Sequence, residues 1–144
     1  MQKIKILFYF LFIALFATSC SKSSDATADL GTQIAGTYNI TTLTSGTTVI
    51  TEAQMSAIRL LGGTAKITVT KKTTTLVTLA IDVNIPGTGA PIKESIEAEL
   101  VDAGGGTINL VDPITKISGG TVSNGKITIA AKSGGVNVSM TATK

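Results

Sequence analysis

Glu97 and Glu99 are the first residues in this sequence whose types and spacing suggest chemistry. Alternate residues of a strand share a face, which sets these two carboxylates roughly 7 Å apart. Paired carboxylates at that separation serve glycoside hydrolysis. A working acid also needs a pocket that raises its pKa, and nothing in the sequence signals one, so a solvated outer face is the expectation. Ser123 and Lys126 have the Ser-x-x-Lys spacing of acyl enzymes, but they straddle Asn124-Gly125, a turn rather than a helix start. Asp102 and Asp112 could meet a cation between loops, yet no Asp-x-Asp-x-Asp-Gly loop is present. Gly87-Thr-Gly89 falls between two strands, where it makes no phosphate cradle. The chain has no His, which excludes a Ser-His-Asp triad, a Cys-His pair and any His-based metal site. Cys20 is the single cysteine and has no partner for an intramolecular disulfide. We therefore expect no enzyme activity, no cofactor and no metal.

The elements that must position any site begin after a distinctive leader. Lys3 and Lys5 precede a nearly continuous run of Ile, Leu, Phe and Ala from Ile4 to Ala17. This is a positive segment followed by a short apolar one, as in a secretory signal. About 14 residues give about 21 Å of helix, against a hydrocarbon core of roughly 30 Å, so a spanning helix is the weaker reading. Small residues follow, then Cys20 and a polar stretch, Ser21 to Asp29.

Ala17-Thr18-Ser19-Cys20 resembles the lipobox of bacterial lipoproteins. The resemblance implies cleavage before Cys20, a diacylglycerol on its thiol and an acyl chain on the new amine. With Ser rather than Asp at position 21, it also implies sorting to the outer membrane. On this reading residues 1–19 are a signal peptide, 20–33 an acylated cysteine and flexible tether, and 34–144 the folded domain. Several acyl chains make a practically permanent membrane anchor. Of the twelve basic and nine acidic side chains, Lys3 and Lys5 leave with the signal, so the mature chain is near neutral. That argues against nucleic acid as a partner.

From Ile34 the apolar residues alternate. Ile34, Gly36, Tyr38 and Ile40 share one face, as do Ala65, Ile67 and Val69. The same holds for Val77 to Ile85, for Ile96, Ala98 and Leu100, for Ile127, Ile129 and Ala131, and for Val136 to Ala142. Threonine fills many outward positions, where a β-branched residue suits a wet pleated face. Asn124-Gly125 signals a two-residue hairpin, and Gly104 to Gly106 and Gly134-Gly135 mark other tight links. Thr51-Glu-Ala-Gln54 reads as a capping box opening a short helix that Gly62-Gly63 ends. The expected fold is all-β: an antiparallel up-and-down meander of seven or eight strands closing into a small barrel of about eight strands. One short helix follows the first strand. A two-sheet sandwich is the alternative.

Ile34-Ala-Gly36-Thr-Tyr38 resembles the Gly-x-Trp start of lipocalins, with Tyr38 in place of Trp. With the lipobox and spacer, the whole organisation is similar to small lipocalin-like or calycin-like lipoproteins of Bacteroidota-type bacteria. This resemblance implies a barrel that holds a small hydrophobic ligand. Tyr38 would lie on the barrel floor, and Met55, Ile58 and Leu61 would pack on the core or lid the mouth. The alternative function is a structural or interaction module, an adhesin-like or assembly subunit at the outer membrane.

Overall fold

A computed structural model of the protein describes residues 29–144 except 88 and 134. Cys20 and the expected signal segment lie outside the described residues. No helix among the described residues is long and apolar enough to cross a membrane.

The chain opens with a short helix, α1 (Leu30–Ile34). Its N-cap is Asp29, whose side chain accepts from the Thr32 N–H at 3.0 Å. Leu30 and Ile34 stand one turn apart, and both are buried. This corrects the expected boundary, because residues 30–33 belong to the folded domain rather than to a flexible tether. It also moves Ile34 out of the first strand and into the helix. The cap and the i, i+4 apolar pair outweigh an alternating pattern that only began at Ile34. Gly31 is needed here, since a Cβ would sit 2.5 Å from the Thr73 carbonyl oxygen.

Nine strands follow: β1 (Gly36–Ser45), β2 (Thr48–Ile50), β3 (Thr64–Lys71), β4 (Leu76–Asn84), β5 (Ile92–Gly104), β6 (Thr107–Val111), β7 (Ser118–Ser123), β8 (Lys126–Ser133) and β9 (Val136–Thr143). Between β2 and β3 lies α2 (Glu52–Leu60). Consecutive strands from β3 to β9 pair antiparallel, β1 pairs with β3, and β1 also pairs with β9. That last ladder, Asn39–Thr143 to Ser45–Val138, closes an eight-stranded barrel and excludes a sandwich. β2 is an additional strand hairpinned onto the end of β1. β2 and β7 carry little alternation, which is why the meander reads shorter in the sequence. Asn124 and Gly125 have φ of 50° and 71°, as a type I′ turn requires.

The barrel interior is packed around Tyr38, Ile40, Ile67, Val77, Leu79 and Ile127, all fully buried. α1 lies across the end of the barrel that carries the β3–β4, β5–β6 and β7–β8 turns. There Gly31 N–H bonds to the Thr74 carbonyl at 2.8 Å, and the Tyr38 hydroxyl donates to the Ile34 carbonyl at 2.8 Å. The capping box of α2 forms as expected, with Thr51 N–H on Gln54 Oε1 at 2.8 Å. Between the β3 ladder, which reaches Asn39, and the β2 ladder, which starts at Leu43, β1 has a break along this side. The Arg59 guanidinium donates to the Ile40 carbonyl there at 3.0 Å, so the helix clasps the sheet.

Asp29 also pairs with Lys71 at the mouth of the β3–β4 turn. The hydrogen bond from Lys71, then those from Thr32, hold its carboxyl down to about 2 from an ordinary 3.8. A depressed carboxylate contributes its stabilisation above its unfolded pKa and loses it as pH falls through the folded one. Acidification from pH 3.8 toward about 2 should therefore loosen α1 while the barrel persists. Amide NMR shifts of Gly31 and Ala35 followed through that window check this. If they stay fixed while Asp29 protonates, the ion pair does not hold the helix.

Candidate functional site

The strands of the barrel differ in length, and the difference makes a site. β5 has 13 residues, while its neighbour β6 has 5. β6 pairs with β5 only from Glu99 onward, so the first half of β5 extends beyond it. β6 stops at Val111 for a local reason. Pro113 has no N–H to donate, and Asp112 accepts from the N–H groups of Ile114 at 2.9 Å and Thr115 at 2.6 Å. Asp112 N–H then closes the loop on the Ile117 carbonyl at 2.9 Å. β7 in turn pairs with β8 only as far as Ile129. The wall therefore opens between the start of β5 and the end of β8, at the barrel end opposite α1.

The opening is a cleft in two connected parts. The outer part has a volume of about 540 Å³ and the inner part about 170 Å³, and they share Asp112, Ile117, Gly119, Ala130 and Ala131. The inner part reaches Leu79, Ala98, Leu110 and Ile129, which belong to the apolar interior. Small residues keep the volume open: a Cβ added at Gly119 would meet nothing within 4 Å. Gly120 beside it is small for the opposite reason, since a Cβ there would sit 2.4 Å from the Thr128 carbonyl oxygen. Ile96 and Ile117 on the lining are 40% and 68% exposed, beside the polar residues Thr115, Lys132, Asn137 and Ser139 of the outer part.

The carboxylates around the cleft are already engaged, while Lys132 also lines its outer part. Glu97 pairs with Lys72 and Glu99 with Lys116, on the outer face of β5. The two carboxylates thus stand as separate ion pairs with partners on different loops. Hydrogen bonds from the Thr115 and Ile114 N–H groups lower the pKa of Asp112, whose carboxylate serves its own loop. Asp102 bonds to the Gly104 N–H at 2.8 Å, at the other end of the barrel from Asp112. No group of three potential metal ligands occurs among the described residues.

Of the residues singled out from the sequence, Glu97 and Asp112 line this cleft, whereas Tyr38, Met55, Ile58 and Leu61 do not. Tyr38 lies at the closed end, with its ring 5.4 Å from the Lys144 ammonium and beside a separate hollow of about 140 Å³. Burial raises its phenol pKa. Met55 is fully buried and Ile58 packs against the core, so this part of α2 is wall rather than lid. Leu61 is 75% exposed. It follows Met55 by six positions, about 240° around a helix, and Arg59 takes the inward place beside Ile58. Ile96, Ala131 and Val136 have the expected inward phase but are exposed, because the wall is open around them. The cleft residues Ile117, Gly119 and Ala130 left no periodic signal in the sequence. Asp112-Pro113, which ends β6 early, was the available clue.

No family model matches the chain, and neither a curated protein nor a solved structure matches it.

Proposed function

We propose that this chain is a lipid-anchored, non-enzymatic envelope lipoprotein of the lipocalin-like kind, which holds a small hydrophobic ligand in the β5–β8 cleft. The observation that carries this reading is the cleft itself: an apolar volume of about 540 Å³ leading inward, with its neighbouring carboxylates bound to other groups. Ligand sites are typically concave, mostly apolar and of roughly 300–1,000 Å³. The proposed anchor suits this arrangement. The described chain begins with α1 at the closed end, so a tether from Cys20 would join the barrel at the end opposite the cleft.

Ala131 tests the reading. It lines both parts of the cleft from β8. An apolar naphthylamine dye should fluoresce on binding the purified chain, and mass spectrometry of organic extracts should show a co-purifying small molecule. Ala131→Trp fills the volume and should weaken dye binding about tenfold or more, the worth of roughly 1.4 kcal/mol. Dye binding unchanged by Ala131→Trp, or absent from the parent chain, sinks the proposal. The alternative, a structural or interaction module, is favoured by a different observation: the strand edges that border the cleft are open.

A further inference from the structure

β5 pairs with β4 from Ile92 to Glu99, but β6 joins its other side only at Glu99. The Leu100 N–H donates to the Thr75 carbonyl at 2.7 Å, which sets the phase of the β4–β5 ladder. Antiparallel bonding alternates along a strand, so the N–H and C=O groups of Lys93, Ser95 and Glu97 point away from β4. Among the described residues, no strand pairs with them there. Ile92 and Ile96, 54% and 40% exposed, flank this edge. An open, partly apolar edge is a template for another strand.

We infer that the strand is β5 of a second copy, running antiparallel about a twofold axis at Ser95. Three features select this register. The open stretch runs from Ile92 to Ala98, and Ser95 is its midpoint. The outward-bonding residues Lys93, Ser95 and Glu97 then face Glu97, Ser95 and Lys93 of the second copy, so their backbone groups are in phase. The side chains also match, because Lys93 meets Glu97 of the second copy, whose carboxylate would then lie between that Lys93 and Lys72 of its own chain, and the reverse contact forms by symmetry. Within one chain Lys66 lies opposite Asp82, and Asp82 opposite Lys93. The pairing continues that row with a further opposite charge. Centring the axis on Glu94 would set Glu94 against itself, and centring it on Ile96 would require Glu99, already paired with β6. The contact is isologous and uses up the edge in both copies, so it closes as a dimer and does not grow.

This pairing does not rest on the ligand reading, although the second strand would run beside Ile96, Glu97 and Ala98 of the inner cleft. Its test uses the full chain with Cys20→Ser, in which any introduced cysteine is the only one. Residues opposite each other in a hydrogen-bonded antiparallel pair have Cα atoms about 5.5 Å apart, within disulfide range. Ser95→Cys should give a covalent dimer on mild oxidation, while Val49→Cys, 51% exposed on β2, should give little. In sedimentation, Lys93→Glu should weaken the dimer about tenfold by turning two attractive cross-strand pairs repulsive. Lys93→Glu with Glu97→Lys should restore it. A chain that stays monomeric at millimolar concentration, equal cross-linking at Val49→Cys, or a folded double variant that does not recover overturns the inference. The cross-linking result stands even if a charge variant misfolds.

Discussion

Tyr38→Ala should cost about 3–5 kcal/mol of folding stability, enough to leave the barrel marginal or unfolded. The ring is 1% exposed among the aliphatic residues of the closed end, and the closely packed wall can collapse only partly around the void. The substitution also leaves the Ile34 carbonyl without its hydroxyl donor at the end of α1. Tyr38→Phe separates the two effects. It keeps the packing and should cost only about 1–3 kcal/mol, the range for a buried carbonyl that loses its partner. Urea unfolding of the two variants measures both. If Tyr38→Ala and Tyr38→Phe are equally mild, the ring is not the centre of the core. Alkali should act in the same direction as Tyr38→Phe. Burial raises the phenol pKa above its ordinary 10.0. The folded state therefore favours the protonated form; its advantage is complete below pH 10.0 and is lost as pH rises through the folded pKa.

Cys20→Ser should abolish lipid labelling and membrane retention of the exported chain. The expectation rests on the proposed lipobox and on the polarity of the barrel wall. Thr37, Asn39, Lys66, Thr68, Asp82 and Glu97 point outward, while their alternates Tyr38, Ile67 and Ile81 are buried. A barrel seated in lipid alternates the other way, apolar out and polar in. Several acyl chains at about 0.8 kcal/mol per buried CH₂ would therefore carry the whole attachment. Metabolic labelling with a radioactive fatty acid, followed by fractionation, checks both parts. A Cys20→Ser chain that still partitions with membranes would show that residues 1–19 hold it by another means.

Much of the barrel was legible because its signals are local. Alternation places Ile67, Leu79 and Ile127 inward whatever their neighbours do, and Asn124-Gly125 makes its turn from its own backbone preferences. The capping box of α2 is equally self-contained. α1 was missed because a single helical turn offers one apolar pair and one cap, easily absorbed into a strand pattern. Leu61 went astray because helical spacing names a face only to within a turn, and Arg59 filled the place beside Ile58.

The cleft could not be read in the same way. Ile96 and Ala131 have the phase of core residues, and the sequence alone determined that phase. Whether they are covered depends on how far β6 and β7 run beside β5 and β8. That is a relation between strands distant in the chain, set by where Asp112-Pro113 stops one strand and how long its neighbour continues. Side-chain direction is a property of each strand by itself. Burial, and with it the candidate site, was decided only when the strands were laid side by side.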